Sequence, residues 1–111
     1  MKEIRYRCWV EVDGEKFFGP GPAQLLLLIE QEGAVAKAAK KMGMSYKKAW
    51  ELVNRLNSKS RQPFVVLQKG GEKGGGATLT PTGREFLAHY QQLCRKLQAV
   101  VDAETGLTEL I

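Results

Sequence analysis

An α+β fold is what these 111 residues predict, and three observations carry it. Near the N-terminus, apolar residues alternate with charged ones at a period of two and end on Asp13-Gly14, the signature of a strand entering a tight hairpin. In the middle, two short runs with helical periodicity meet at Gly43. Towards the C-terminus, an apolar stripe steps by three and four residues over a long span. The composition fits one soluble globular domain: 43% of the residues are apolar and 26% charged, at a length sufficient for one core.

In chain order, Ile4, Tyr6, Cys8, Val10 and Val12 alternate with Arg5, Arg7, Trp9 and Glu11, which predicts a half-buried strand over 4–12. Asp13-Gly14 turns the chain, and Glu15 to Phe18 returns as a second strand. Gly19-Pro20-Gly21-Pro22 breaks regular structure and offers Pro22 as a first helical residue. The helix that follows reaches about Glu32. Leu25, Leu28 and Ile29 share one face, widened by Leu26, before Gly33 ends it.

The stretch from Ala34 to Asn57 organises the rest. Val35, Ala38, Ala39 and Met42 form one helical face, and Gly43 supplies the positive φ of a sharp stop. Ser45 is a good N-cap for a second helix with Ala49, Leu52, Val53 and Leu56 on its apolar side. Two helices across a short Gly-containing turn make either a helix-turn-helix or an ordinary αα-hairpin. Charge favours the first. From Lys37 to Arg61 eight Lys or Arg face one Glu, a local +7 in a chain whose whole net charge is +5. An anionic partner is implied, and double-stranded DNA suits a helix-turn-helix.

Beyond Asn57, Ser58 to Pro63 reads as a polar loop and Phe64 to Leu67 as a short strand. Gly70 to Gly76 reads as a flexible loop, and Ala77 to Leu79 as the returning strand. Two strands around a loop behind a helix-turn-helix form a wing. The loop lacks the spacing of a phosphate-binding P-loop, and no helix begins at its end. Thr80 and Pro81 cap and start a last helix reaching about Ala103, roughly 30 Å or more in length. Phe86, Tyr90, Leu93, Leu97 and Val100 mark its stripe, with Leu87, Cys94 and Val101 beside it. Such a helix either packs back along the protomer or forms a dimer contact; its excess length favours the dimer, with those five residues as the interface. Leu107, Leu110 and Ile111 in the tail pack on a partner or fray. The full prediction is therefore α+β: a winged helix-turn-helix with an N-terminal β-hairpin and a long C-terminal helix. The hairpin covers 1–18, the helix-turn-helix and wing 22–79, and the dimerisation helix 80–103, all one domain.

On the second helix of the motif, Ser45, Tyr46, Lys47 and Trp50 lie near the N-terminal end that reaches base edges. Tyr46 and Trp50, four apart, alternatively stack on each other as the rim of the core. Asn54 suits adenine or a phosphate. Lys37, Lys48 and Arg55, with Lys40, Lys41, Lys59 and Arg61, suit phosphates. Lys69 and Lys73 in the wing reach a neighbouring groove or backbone. Arg5 and Arg7 are strand-surface charges. The single His89 and two cysteines give no catalytic or metal-ligand pattern, which argues against an enzyme, a metal or a cofactor. Cys8 and Cys94 read as apolar side chains rather than a disulfide. No apolar run approaches a membrane span and no signal-peptide pattern opens the chain, so a cytoplasmic location is expected.

The segments GAVAKAAKKMGMSYKKAWELVNRLN, KGGEKGGGA and LTPTGREFL resemble the N-terminal DNA-binding domain of ModE-type molybdate-responsive regulators, itself similar to the LysR-type winged helix. The FFGPGPAQLLLLIEQEG segment fits as well, so the likeness covers roughly residues 4–100. It implies a dimeric, sequence-specific transcription regulator. Full-length members carry a C-terminal molybdate-binding region; this sequence ends where that would begin, so no molybdate site is expected in it and the domain is expected to stand alone. Two other readings remain: non-specific nucleic-acid binding, which shows little sequence preference, and a winged helix used for protein interaction, which favours an uncharged or acidic recognition helix.

Overall fold

The computed structural model describes residues 1–71 and 74–111, with side chains placed outside 69–75. Strands β1 (Val10–Val12) and β2 (Glu15–Phe18) pair antiparallel. Asp13 and Gly14 both have positive φ, 53° and 81°, the backbone that a two-residue hairpin turn requires. Helices α1 (Pro20–Glu32), α2 (Val35–Met42) and α3 (Tyr46–Lys59) follow, then an antiparallel pair β3 (Val65–Gly71) and β4 (Gly74–Leu79). Helix α4 (Pro81–Ala103) and a single turn, α5 (Gly106–Glu109), complete an α+β chain with two small sheets and a winged-helix-like order of elements.

The core is shared by every element up to the middle of α4. Leu25, Leu26 and Ile29 of α1 lie against Val35, Ala38 and Ala39 of α2 and Ala49, Val53 and Leu56 of α3, all buried. Ala38, Ala39 and Ala49 are no more than 1% exposed, so small side chains at the contact let α2 and α3 approach closely. An aromatic cluster joins the hairpin to α4. Phe18 stands edge-on to Phe86 (4.8 Å between ring centres) and to Tyr90 (5.0 Å), while Phe64 lies 4.8 Å from Phe86. Such contacts add about 0.5–1.5 kcal/mol each beyond the area they bury.

Both internal helix stops work as their glycines predict. Gly33 and Gly43 adopt φ of 74° and 69°, and the Gly43 and Met44 N–H groups close back onto Lys40 and Ala39 carbonyls.

Five local expectations are corrected. The strand over 4–12 shrinks to Val10–Val12, because β2 is four residues long and leaves Ile4 to Trp9 without a partner strand. That segment follows α4 instead: the Tyr90 hydroxyl donates to the Cys8 carbonyl at 2.8 Å, and Tyr6 to Gln98 Oε1 at 3.0 Å. Helix α1 begins at Pro20 rather than Pro22. Both prolines fit inside its first turn, where the backbone N–H they lack would have no partner. Helix α3 runs past Asn57 to Lys59, into the expected loop. Phe64 precedes β3 rather than starting it. The Gly-rich loop is largely strand, with pairing out to Gly71 and Gly74, since a ladder needs backbone groups and no side chains.

Two members of the expected dimer stripe sit in the protomer's own core. Tyr90 is 7% exposed and Phe86 is partly buried among Phe17, Phe18 and Phe64. Burial, and then the neighbouring Cys94 thiol, push the Tyr90 phenol up to about 12. It therefore stays protonated and keeps donating to Cys8. Leu97 is half-buried, and Leu93 and Val100 are exposed. The far half of α4 projects: the molecule measures 60 × 29 × 22 Å, and its radius of gyration of 16.8 Å exceeds the roughly 13 Å of a compact chain this long.

Thr80 caps α4 by accepting from Gly83 N–H at 3.0 Å, and Gly83 then passes directly beneath Phe64. A Cβ on Gly83 would stand 2.3 Å from the Phe64 carbonyl oxygen, a backbone atom that cannot rotate away. Gly83→Ala should therefore destabilise the protein by about 2 kcal/mol or more, read from urea unfolding. A loss under about 0.5 kcal/mol would mean that β3 and α4 slide apart freely.

Candidate nucleic-acid interface

Helix α3 divides its surface by periodicity. Ala49, Val53 and Leu56 are buried, while Lys47, Glu51 and Asn54 point the other way and are exposed. Ser45 caps the helix, its hydroxyl accepting from Lys48 N–H at 3.1 Å. Tyr46 is 54% exposed, and its ring stands nearly perpendicular to that of Trp50, 6.2 Å away. Trp50 is partly buried against the core. The pair thus makes the mutual contact expected of a core rim, with Tyr46 still open to solvent.

The two flanks of α3 lead to different hairpins. On one, the Asn57 side chain holds the start of β3. Its Oδ1 accepts from Phe64 N–H (2.8 Å) and Val65 N–H (3.1 Å), and its Nδ2 donates to the Val65 carbonyl at 2.9 Å. On the other flank Lys48, Leu52 and Arg55 line a cavity with Met44, and Arg55 also faces the β1–β2 hairpin. The β3–β4 hairpin is further held at its base, where Ala77 N–H donates to the Gly33 carbonyl at 2.8 Å. Periodicity alone treats Asn57 as no more than the end of a helix. An amide two residues inside a helix end, before a β-rich segment, is the signal for its bridging role.

Exposed cations dominate this side. Lys37, Lys47, Lys48 and Arg55 are all exposed, as is Asn54. Lys41 pairs with Glu32 at 3.5 Å, and Glu51 is the one acid on α3. Lys69 lies in β3, but its side chain falls outside the described residues, as does the whole of Lys73. Leu93, Leu97 and Val100 stand apart on α4. Among the described residues no three His, Cys, Asp or Glu side chains gather as a metal site, and no helix is long and apolar enough to cross a membrane. A cavity of about 760 Å³ lies away from α3, where the N-terminal segment and α4 meet around Tyr6, Tyr90 and Cys94.

Comparison with known proteins gives the same direction. No family model matches the chain. It is 40% identical over 79 residues to "Molybdenum transport protein ModE" of Azotobacter vinelandii, covering 71% of this chain and 29% of that protein. To "DNA-binding transcriptional dual regulator ModE" of Escherichia coli K12 it is 36% identical over 86 residues, 78% of this chain and 33% of that one. To "Transcriptional regulator ModE" of Haemophilus influenzae it is 33% identical over 95 residues, 86% and 37%. The matched stretch thus spans about a third of these relatives' length. Their names describe regulators and a molybdenum transport protein, not enzymes.

Asn57→Ala should cost about 2–3 kcal/mol, because it strands two N–H groups and a carbonyl that are partly buried. Asn57→Asp keeps both acceptor bonds and should cost less. Equal unfolding midpoints for wild type and Asn57→Ala would show that β3 is held without the amide.

Proposed function

We propose that this chain is a sequence-specific, DNA-binding transcription regulator that lays α3 in the major groove of double-stranded DNA. What carries it is the solvent face of α3 between two hairpins, inside a segment of net charge +7. Lys47, with Ser45, Tyr46 and Trp50 near the helix start, reads base edges; Asn54 reads an adenine or holds a phosphate. Lys37, Lys48 and Arg55 position the backbone, and Lys69 and Lys73 extend contact along the wing. The names of the regulators that match most of this chain support the reading. Molybdenum, which some relatives carry in their names, stays with those proteins; only DNA binding is proposed for these residues, with no metal or cofactor.

We also propose that the 111 residues act as one domain and pair as a homodimer through the far half of α4. Leu93 is 43% exposed and Val100 69%, with Leu97 between them on the same side. Phe86 and Tyr90 support that helix from inside the protomer rather than meeting the partner. Substituting Leu93→Glu together with Val100→Glu should give a folded monomer in sedimentation velocity, with helix content unchanged. A wild-type chain that already sediments as a monomer at micromolar concentration would refute the pairing.

DNA recognition is tested by selecting genomic duplex fragments over several rounds at two salt concentrations. A converging, roughly palindromic motif is expected; binding that never converges and collapses with salt would mean charge-driven association instead. On the selected site, Lys47→Ala should cost about 1–3 kcal/mol and clearly less on random duplex. Equal costs on both would restrict Lys47 to the phosphate backbone.

A further inference from the structure

A second basic site lies at the edge of the helix-turn-helix, where α3 meets the N-terminal segment and hairpin. Arg7 of the segment leading into the N-terminal hairpin, Lys16 of the hairpin and Arg55 of α3 line one cavity of about 260 Å³, floored by Phe17, Phe18 and Pro22. Nothing in the residue pattern groups these three: they are up to 48 residues apart, and Arg7 reads as an ordinary strand-surface charge. Lys16 makes a cation–π contact there, its Nζ 4.3 Å from the centre of the Trp9 ring. Among the described residues, none of the three cations has an acid within ion-pair distance. Glu11, which faces Lys16 across the ladder, accepts instead from Trp9 Nε1 at 2.9 Å. Three exposed cations that make no ion pair among the described residues therefore meet over an apolar floor at one point of the surface. The hairpin's acids are Glu11, held by Trp9, and Asp13 and Glu15, none of which lines the cavity.

The position of that point identifies its occupant. At about 100° per residue, Arg55 and Asn57 lie on opposite flanks of α3. Asn57 carries the β3–β4 hairpin and Arg55 faces the β1–β2 hairpin, so the two hairpins stand on either side of the helix. We infer that the N-terminal hairpin is a second DNA-contacting arm, and that Arg7, Lys16 and Arg55 grip a backbone phosphate of the duplex that α3 enters. The phosphate contributes negative oxygens to guanidinium and ammonium donors, which suits charge-assisted hydrogen bonds. Such a grip sets the depth and tilt of α3 without reading sequence.

A phosphate grip here presupposes the DNA binding proposed above, and the experiment separates the two. Wild type, Arg7→Gln, Lys16→Gln and the double variant are titrated with the selected duplex and with random duplex over a range of salt. The double variant should bind both duplexes roughly tenfold or more weakly, and its plot of log affinity against log salt should be shallower by about 0.9 for each phosphate no longer neutralised. Arg95→Gln, which removes an exposed cation from α4, should leave the slope unchanged. Failure of wild type to bind any duplex would overturn DNA recognition itself. Binding by wild type with an unaltered slope in the double variant would overturn the hairpin arm alone, as would an equal change from Arg95→Gln. Saturable movement of the Trp9 indole resonance with millimolar inorganic phosphate, lost in the double variant while that variant's salt slope on DNA stays unaltered, would assign the cavity to a free anion and overturn the arm.

Discussion

Phe64 is the point on which the arrangement depends. Its N–H is taken by Asn57 of α3, and its carbonyl accepts from Thr80 N–H at 2.9 Å, just before α4. Its ring packs on Phe86 of α4 and, 6.0 Å away, on Phe17 of the hairpin. One residue thus ties the helix proposed to face DNA, the β3–β4 hairpin, the N-terminal hairpin and the long helix together. The backbone bonds fix direction and the ring fixes distance. Gly83 completes the junction because any side chain there would collide with the Phe64 carbonyl.

Charge and burial are kept apart on α3. Its buried side is alanine, valine and leucine, with no buried polar or charged side chain among the described core residues. The cations therefore occupy positions where desolvation costs little and an incoming polyanion gains most. Small residues between α2 and α3 do the complementary work. Ala38, Ala39 and Ala49 are buried on that side, and Lys47, Glu51 and Asn54 on the opposite side of α3 stay exposed.

Much of this was legible because it is local. Helix caps, the Asp-Gly turn and the Gly43 stop depend on residues within a few positions of each other, and Ser45, Thr80 and Gly33 act where their chemistry predicts. What stayed hidden was pairing over distance. The alternation from Ile4 to Val12 is a real property of the residues, but a strand needs a neighbour of equal length, and β2 stops after four residues. Periodicity also shows that Phe86, Tyr90, Leu93, Leu97 and Val100 share a face without showing what covers it. The hairpin aromatics cover the first two. Arg7, Lys16 and Arg55 became neighbours only through the fold.

The far half of α4 sets a physical problem of its own. An isolated helix of three turns is marginal in water, so a projecting one needs tertiary support. The N-terminal segment supplies some, through the Tyr6 hydroxyl, which lies within hydrogen-bond reach of Gln98 Oε1 and the Cys94 carbonyl of α4. Cys94, Leu97 and Val101 are accordingly half-buried, while Leu93 and Val100 stay exposed. Fully burying side chains of that kind contributes about 1.5–3 kcal/mol each. Symmetric pairing would count each residue twice, once per protomer. A modest stripe can then hold two chains together and also fix the spacing between their α3 helices. Pairing through α4 would thus turn two weak groove contacts into one bivalent grip, with Phe86 and Tyr90 transmitting its geometry to the core.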